Sequence, residues 1–169
     1  MTPLDALDHV RGPADATLTI VQYGDYDCPH TRASTAIIHE IERSLERPVR
    51  FAFRHFPLRH MHANAQRLSE IAEAAYALGH FWAVHERLMS HRRMDEQEIM
   101  SDLIAAGVDV AALRPLLGSE AIRARIERDV LSGKASGVHS TPTWFFDGAI
   151  WDGHYDRDTL NSRIGLALR

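Results

Sequence analysis

Hydrophobic and polar positions follow two different periods along the chain. Thr17 to Gly24 (TLTIVQYG) is rich in β-branched residues and follows the turn-like Gly12-Pro13-Ala14-Asp15, which predicts a central, buried strand. Pro29 then opens a stretch with apolar residues at Ala33, Ile37, Ile38, Ile41 and Leu45, the spacing of an amphipathic helix. Proline suits the first helical position because its missing N–H has no partner there anyway. Pro48 ends the pattern, and Val49 to Phe53 alternates as a second strand. Strand, helix and strand make a βαβ unit with parallel strands and a right-handed crossover.

From about Met61 to Gly137 the pattern turns helical, punctuated by Gly79, Gly107 and Gly118 and restarted by caps at Asp95, Asp109 and Ser119. Glu98 stands three residues after Asp95, as in a capping box, and Pro115 breaks or bends its segment. Near the C-terminus, Thr143 to Phe146 and Ala149 to Trp151 flank Asp147-Gly148, the signature of a two-residue hairpin. A last helix from about Asp156 buries Leu160, Ile164 and Leu168 against the sheet. No repeat or linker divides these pieces, so residues 1–169 are expected to form one α/β domain in which about 61–137 is a helical insertion and about 12–60 and 138–169 the sheet-bearing part.

Composition narrows the function. The chain has 169 residues, 45% hydrophobic and 25% charged, ordinary proportions for a globular domain, and no run long enough for a membrane-spanning helix. A net charge of −4 offers no global attraction for nucleic acid or anionic membranes. Monomer or weak dimer is the expected state. One cysteine, Cys28, excludes an internal disulfide and any multi-cysteine zinc site. Met1 to Val10 lacks a basic start and an apolar core, so a cytoplasmic location is expected, or a periplasmic one if a signal peptide was removed.

Cys28 falls where the first strand gives way to the helix begun by Pro29, His30 and Thr31. Free N–H groups and the positive dipole end favour a thiolate there, and thiol pKa values fall to roughly 3.5–7.5 in such settings. His30 and Thr31 could lower it further by hydrogen bonding or charge. Asp25 and Asp27 oppose this: at ~7 Å a carboxylate costs a thiolate about 0.6 kcal/mol through water and about 2.4 kcal/mol at an effective dielectric of 20. Buried, either could instead accept a proton from the thiol or the leaving group. An arbitrary cysteine is often a small core hydrophobe, but a strand end with polar neighbours favours a nucleophile.

Three motifs in order carry a resemblance: GPADATLTIVQYGDYDCPH from Gly12, FRHFPL at Phe53 to Leu58, and GVHSTPTWFFDG at Gly137 to Gly148. Together they resemble the DsbA-like branch of the thioredoxin superfamily over nearly the whole chain. The resemblance implies a thioredoxin-like fold with an inserted all-helical subdomain, Cys28 as the attacking cysteine, and Thr141-Pro142 as a cis-proline loop whose backbone pairs with a substrate peptide or glutathione. His139 is placed near the site on the same basis.

The departure is Thr31, which stands where redox-active members carry a second cysteine. Without a resolving cysteine the accessible states are thiol, mixed disulfide, intermolecular dimer and sulfenic acid. That leaves thiol–disulfide exchange or isomerisation on protein or peptide substrates, with an external thiol such as glutathione as co-substrate and no permanently bound cofactor. Two other readings remain: a glutathione transferase or isomerase in which Cys28 or Thr31 steadies the cofactor's thiolate, and a redox-inactive peptide binder. Thr31 as an engineered trap is a further one, although such replacements usually use Ser or Ala.

The eleven histidines raise a metal site, but the spacings of His55, His60 and His62, or of His80 and His85, match none, so structural or surface roles and no metal are expected. Arg54 and Arg59 are expected to be solvated. Trp144, Phe145, Phe146 and Trp151 are expected to pack around the hairpin.

Overall fold

The computed structural model describes residues 1–45, 48–90 and 95–167. Chain order runs through β1 (His9–Arg11), β2 (Thr19–Gly24), α1 (Pro29–Ser44), β3 (Arg50–His55), α2 (Ala65–Ala77), α3 (Phe81–Ser90), α4 (Glu96–Ala105) and α5 (Val110–Leu113). A 3-10 turn, Arg114–Leu116, leads to α6 (Glu120–Ala135), β4 (Thr143–Phe146), β5 (Ala149–Ile150) and α7 (Arg157–Ala167). The mixed sheet has the order β1-β3-β2-β4-β5, so the β-branched strand is central as expected. β2 and β3 are parallel, joined by α1, and β1, β4 and β5 pair antiparallel to their neighbours. This is a thioredoxin-like architecture with α2 to α6 inserted between the βαβ unit and the hairpin.

Period-two alternation sorts the two sheet faces. Ile20, Phe51, Phe53, Trp144 and Phe146 join Ile38 and Ile41 of α1, Phe81, Val84 and Leu88 of α3, and Leu160 and Ile164 of α7. On the other face Val21, Tyr23, Ala52 and Phe145 pack with Phe56, Val138 and Val130 of α6. Gly133 of α6 is required there, because a Cβ would lie 2.8 Å from the Phe56 ring. The expected caps form: Asp95 accepts from Glu98 N–H, Asp109 from Ala111 and Ala112 N–H, and Ser119 from Ile122 N–H. Pro115 lies in the 3-10 turn. Asp147 (φ 49°) and Gly148 (φ 81°) take the left-handed values a two-residue hairpin requires.

Three expectations need correction. β1 carries no periodic signal, yet His9 and Arg11 pair with Phe53 and Phe51 and add an edge strand. β3 begins one residue later than Val49 and runs to His55, because β2 offers a parallel partner as far as Gly24. Arg54 is not solvated: its side chain is fully buried, with Nε and Nη2 on the two carboxylate oxygens of buried Asp8 (2.7 and 2.9 Å). Nη1 adds bonds to Tyr23 Oη and Thr2 O, and Nη2 one to Pro3 O, so the arginine ties the N-terminal segment to the sheet. Arg59 is exposed as expected and pairs with Glu127 (3.2 Å). The expected burial of Leu168 falls outside the described residues.

Arg54→Met would remove the two hydrogen bonds of the main cation on buried Asp8, leaving it Arg128 at 3.7 Å and the Asp5 N–H, and is expected to lower stability by about 1–3 kcal/mol, read by urea unfolding. Burial alone would raise the Asp8 and Glu73 carboxyls, but hydrogen bonds from Arg54 to Asp8, and from His55 and His9 to Glu73, hold both below their ordinary values. Burial lowers His9. Depressed carboxyls contribute stability that is present above about pH 4 and lost on acidification, and a depressed histidine loses its contribution as pH falls below about 6.5. All three act in the same direction. Urea midpoints are therefore expected to drop steadily from pH 7 to pH 3, and a midpoint flat across that range would contradict the assignment.

Candidate active site

Residues 25–28 turn the chain from the end of β2 into α1. Cys28 is the N-cap residue with extended backbone (φ −77°, ψ 117°), and Pro29 takes the first turn. Its N–H donates to Asp25 O (3.1 Å), while its own carbonyl accepts from Arg32 N–H (3.2 Å). Sγ lies 3.3 Å from the carbonyl oxygen of Thr141, with the thiol as donor. Thr141 and Pro142 lie between α6 and β4, and their peptide bond is cis. Two segments 113 residues apart thus meet at the sulfur. Cys28 is only 3% exposed, but its wall is the polar Thr141 backbone and its chain neighbours Pro29 and His30 are exposed.

Asp25 organises the ground beneath it. The side chain is fully buried, and Oδ1 accepts from Asp27 N–H (2.9 Å). Oδ2 accepts from Leu58 N–H (2.9 Å) and from His62 Nδ1–H (2.8 Å). Asp27, half-buried, accepts from Asn64 N–H at the start of α2 (3.0 Å). The two carboxylates therefore fasten the 25–28 turn to the loop between β3 and α2. Neither is hydrogen-bonded to the sulfur.

Of the residues expected to tune the thiol, Thr31 is buried and its Oγ1 accepts from Asp25 N–H (3.5 Å), so it braces the turn rather than donating to Sγ. His30 and His139 are exposed, and the sulfur's hydrogen bond goes to Thr141 instead. Thr141 and Pro142 are brought to Cys28, and Thr141 Oγ1 is a buried group without a hydrogen-bond partner. His62 was the residue missed. Its signal was available: Leu58 and His62 are four apart, His62 N–H donates to Leu58 O (2.9 Å), and one turn of chain aims both at Asp25.

Of the other histidines, expected in structural or surface roles, His9, His55 and His85 are buried, while His60 and His154 are exposed. His9 Nε2 and His55 Nε2 stand 2.7 and 2.9 Å from the same Glu73 oxygen, and all three residues are buried. His85 is fully buried with Nδ1 2.9 Å from Tyr26 Oη. His9–His55–Glu73 and His39–His85–Glu86 are each close enough in space to hold an ion, a grouping that sequence spacing did not show.

A family model described as Thioredoxin matches residues 5–165. The chain belongs to the thioredoxin family. Among solved structures, a thioredoxin-like oxidoreductase from Silicibacter pomeroyi superposes with a TM-score of 0.82 at 22% identity, covering 97% of this chain and 94% of that one. The oxidised form of BdbD from Bacillus subtilis gives 0.80 at 21% identity over 96% and 93%, and the thiol-disulfide exchange protein α-DsbA2 from Wolbachia pipientis 0.80 at 20% over 96% and 88%. These likenesses show that the fold is shared over nearly the whole chain, the helical insertion included. Among curated proteins, a Na(+)/H(+) antiporter NhaA from Nitrosospira multiformis is 37% identical over 95% of this chain, and NhaA 1 from Salinispora arenicola 32% over 99%. The chain spans about a quarter of the length of these relatives. No helix among the described residues is long and apolar enough to cross a membrane.

Asp25→Ala would leave the Leu58 and Asp27 N–H groups buried without acceptors and is expected to cost about 1–3 kcal/mol in a urea melt. Asp25→Asn, which keeps one acceptor oxygen, should cost less. Equal losses in the two variants would contradict this role.

Proposed function

We propose that this protein is a thiol–disulfide oxidoreductase or isomerase working through one cysteine, with protein or peptide disulfides as substrates. The observation that carries the reading is the position of Cys28 Sγ at the N-terminus of α1, 3.3 Å from the Thr141 carbonyl. Family membership, one solved neighbour named as a thioredoxin-like oxidoreductase and another named as a thiol-disulfide exchange protein support the same class. A sulfur at a helix N-terminus faces unpaired N–H groups and the positive end of the helix dipole, which favour negative charge there.

The chemistry needs two exchanges. Cys28, having given up its proton to solvent, attacks one sulfur of a substrate disulfide. A new S–S bond forms between Cys28 and that sulfur, and the other substrate sulfur departs as a thiolate and takes up a proton. A second thiolate then attacks the mixed disulfide and frees Cys28. When it belongs to glutathione or another external thiol, the attacked substrate sulfur is left in a mixed disulfide with that thiol, and a second external thiol completes reduction of the substrate and leaves as the external disulfide. When it belongs to the same substrate, the net reaction is isomerisation. Thr31 offers no sulfur, so this second thiol always comes from outside the chain.

Substrate approach requires the Thr141 carbonyl to release the thiol. An extended peptide laid beside Thr141 and Pro142 would meet that carbonyl with its own N–H, exchanging one hydrogen bond for another. The buried, unpartnered Thr141 Oγ1 stands at the same wall.

Incubation of the folded protein with oxidised glutathione is expected to add one glutathione, mapped to Cys28 by mass spectrometry and removed by excess reduced thiol. Glutathione-dependent reduction of a model mixed disulfide should be lost in Cys28→Ser. A folded protein that takes no adduct and has no reductase activity would overturn the proposal. Activity on an electrophile plus glutathione that survives Cys28→Ser would assign the chain to the transferase class instead.

A further inference from the structure

Two His-His-Glu groups lie outside the thiol site, and their surroundings differ. At His9, His55 and Glu73 the residues are sealed from solvent, and Arg125 Nε stands 4.0 Å from the Glu73 oxygen that the histidines share. There the arginine faces the same glutamate oxygen that both histidines share, which leaves that oxygen no room for an ion. At His39, His85 and Glu86, one ligand atom from each residue lies within 4.8 Å of the other two. Here α1 supplies His39 and α3 supplies the other two.

The donor set is suited to a divalent ion. His39 Nδ1 is 3.1 Å from Glu86 Oε2, and two donors each about 2.05 Å from one tetrahedral ion stand about 3.3 Å apart. His85 Nε2 is buried without a hydrogen-bond partner, while Nδ1 is held by Tyr26 Oη at 2.9 Å. With Nδ1–H donating to the tyrosine oxygen, Nε2 presents its lone pair, the arrangement in which a second group orients a metal-bound imidazole. His39 Nε2 is a second buried nitrogen with no partner.

Charge and access are compatible with this. Arg11 binds the other Glu86 oxygen, Oε1, at 2.6 Å and Glu42 Oε2 at 2.8 Å, so it leaves Oε2 to the site. Two carboxylates against one guanidinium give a formal −1 with neutral imidazoles, which a divalent cation more than offsets. The Glu86 and His39 side chains are 41% and 14% exposed, giving the ion a path in and a water a place to complete the coordination.

We propose that His39, His85 and Glu86 bind a divalent cation of the zinc type, with water as the remaining ligand, joining α1 to α3. The ion staples the helix that carries the thiol to the helical insertion. Through His85 it also fixes Tyr26, two residues before Cys28.

The test uses the whole protein, freed of metal by chelation and titrated with Co(II) and Zn(II). Expected are one Co(II) per chain, visible absorption of a four- or five-coordinate N/O site without a thiolate charge-transfer band, and a rise in thermal midpoint with Zn(II). His39→Ala and Glu86→Gln, checked for folding by circular dichroism, should each weaken Zn(II) binding at least about tenfold. His154→Ala, at an exposed remote position, should not. Zn(II) affinity unchanged in both folded variants, or a Co(II) spectrum of the hydrated ion alone, would overturn the proposal.

Discussion

One buried carboxylate holds together the region in which the sulfur sits. Asp25 closes β2, and its two oxygens receive N–H donors from its own turn, from the loop after β3 and from His62. A charge that deep is tolerated only when its lone pairs are filled, and here three donors fill them. Those donors come from segments that are also tied here by Asn64 N–H on Asp27 and by Phe56 N–H on Gly24 O. The position of Cys28 at the mouth of α1 thus depends on Asp25, whose carbonyl accepts from Cys28 N–H while its carboxylate makes no hydrogen bond to the sulfur. The parallel βαβ unit brings β2 and α1 end to end, and Asp25 sets the angle at which they meet.

The same economy appears at the sheet edge. Arg54 reaches from β3 to Asp8, and Glu73 of α2 gathers His9 and His55 from β1 and β3. Edge strand β1 is three residues long and too short to hold its place by pairing alone. Paired charges on either side of it supply the missing constraint. Replacing such pairs with apolar groups often leaves stability unchanged or improves it, so their contribution is to position β1 rather than to strengthen the core.

These charge networks mark the limit of what was legible in the chain. The βαβ unit, the helical insertion, three helix caps and the Asp-Gly hairpin were readable, because each rests on a local period or a residue type with a local preference. Cys28 and Thr141-Pro142 were readable as a site through motif order. Arg54 was misjudged because exposure of an arginine depends on where its partner lies, and Asp8 is 46 residues away and on an unsignalled segment. The two His-His-Glu groups were missed for the same reason, since their members converge in space and not at a helical or strand spacing, whereas His62 had a local signal four residues after Leu58. Thr31 was misassigned more subtly. Its sequence position, one turn into α1, was right, but its hydroxyl faces the Asp25 N–H rather than the sulfur.

Having a threonine there changes what the fold can do. In a chain with two cysteines at a helix mouth, a mixed disulfide can be released from within, by a neighbour held at high effective concentration. Here the neighbouring side chain is locked in the packing under the turn, so under the proposed mechanism release would depend on the concentration of a thiol in solution or on a second thiol of the bound substrate. The lifetime of a mixed disulfide at Cys28 would then be set by the surroundings rather than by the protein. Under that constraint a thiol resting on the Thr141 carbonyl, behind a nearly closed surface, would have a chemical use: the unengaged sulfur is shielded from oxidants and from random exchange, and a substrate that displaces the carbonyl contact would uncover it only when bound.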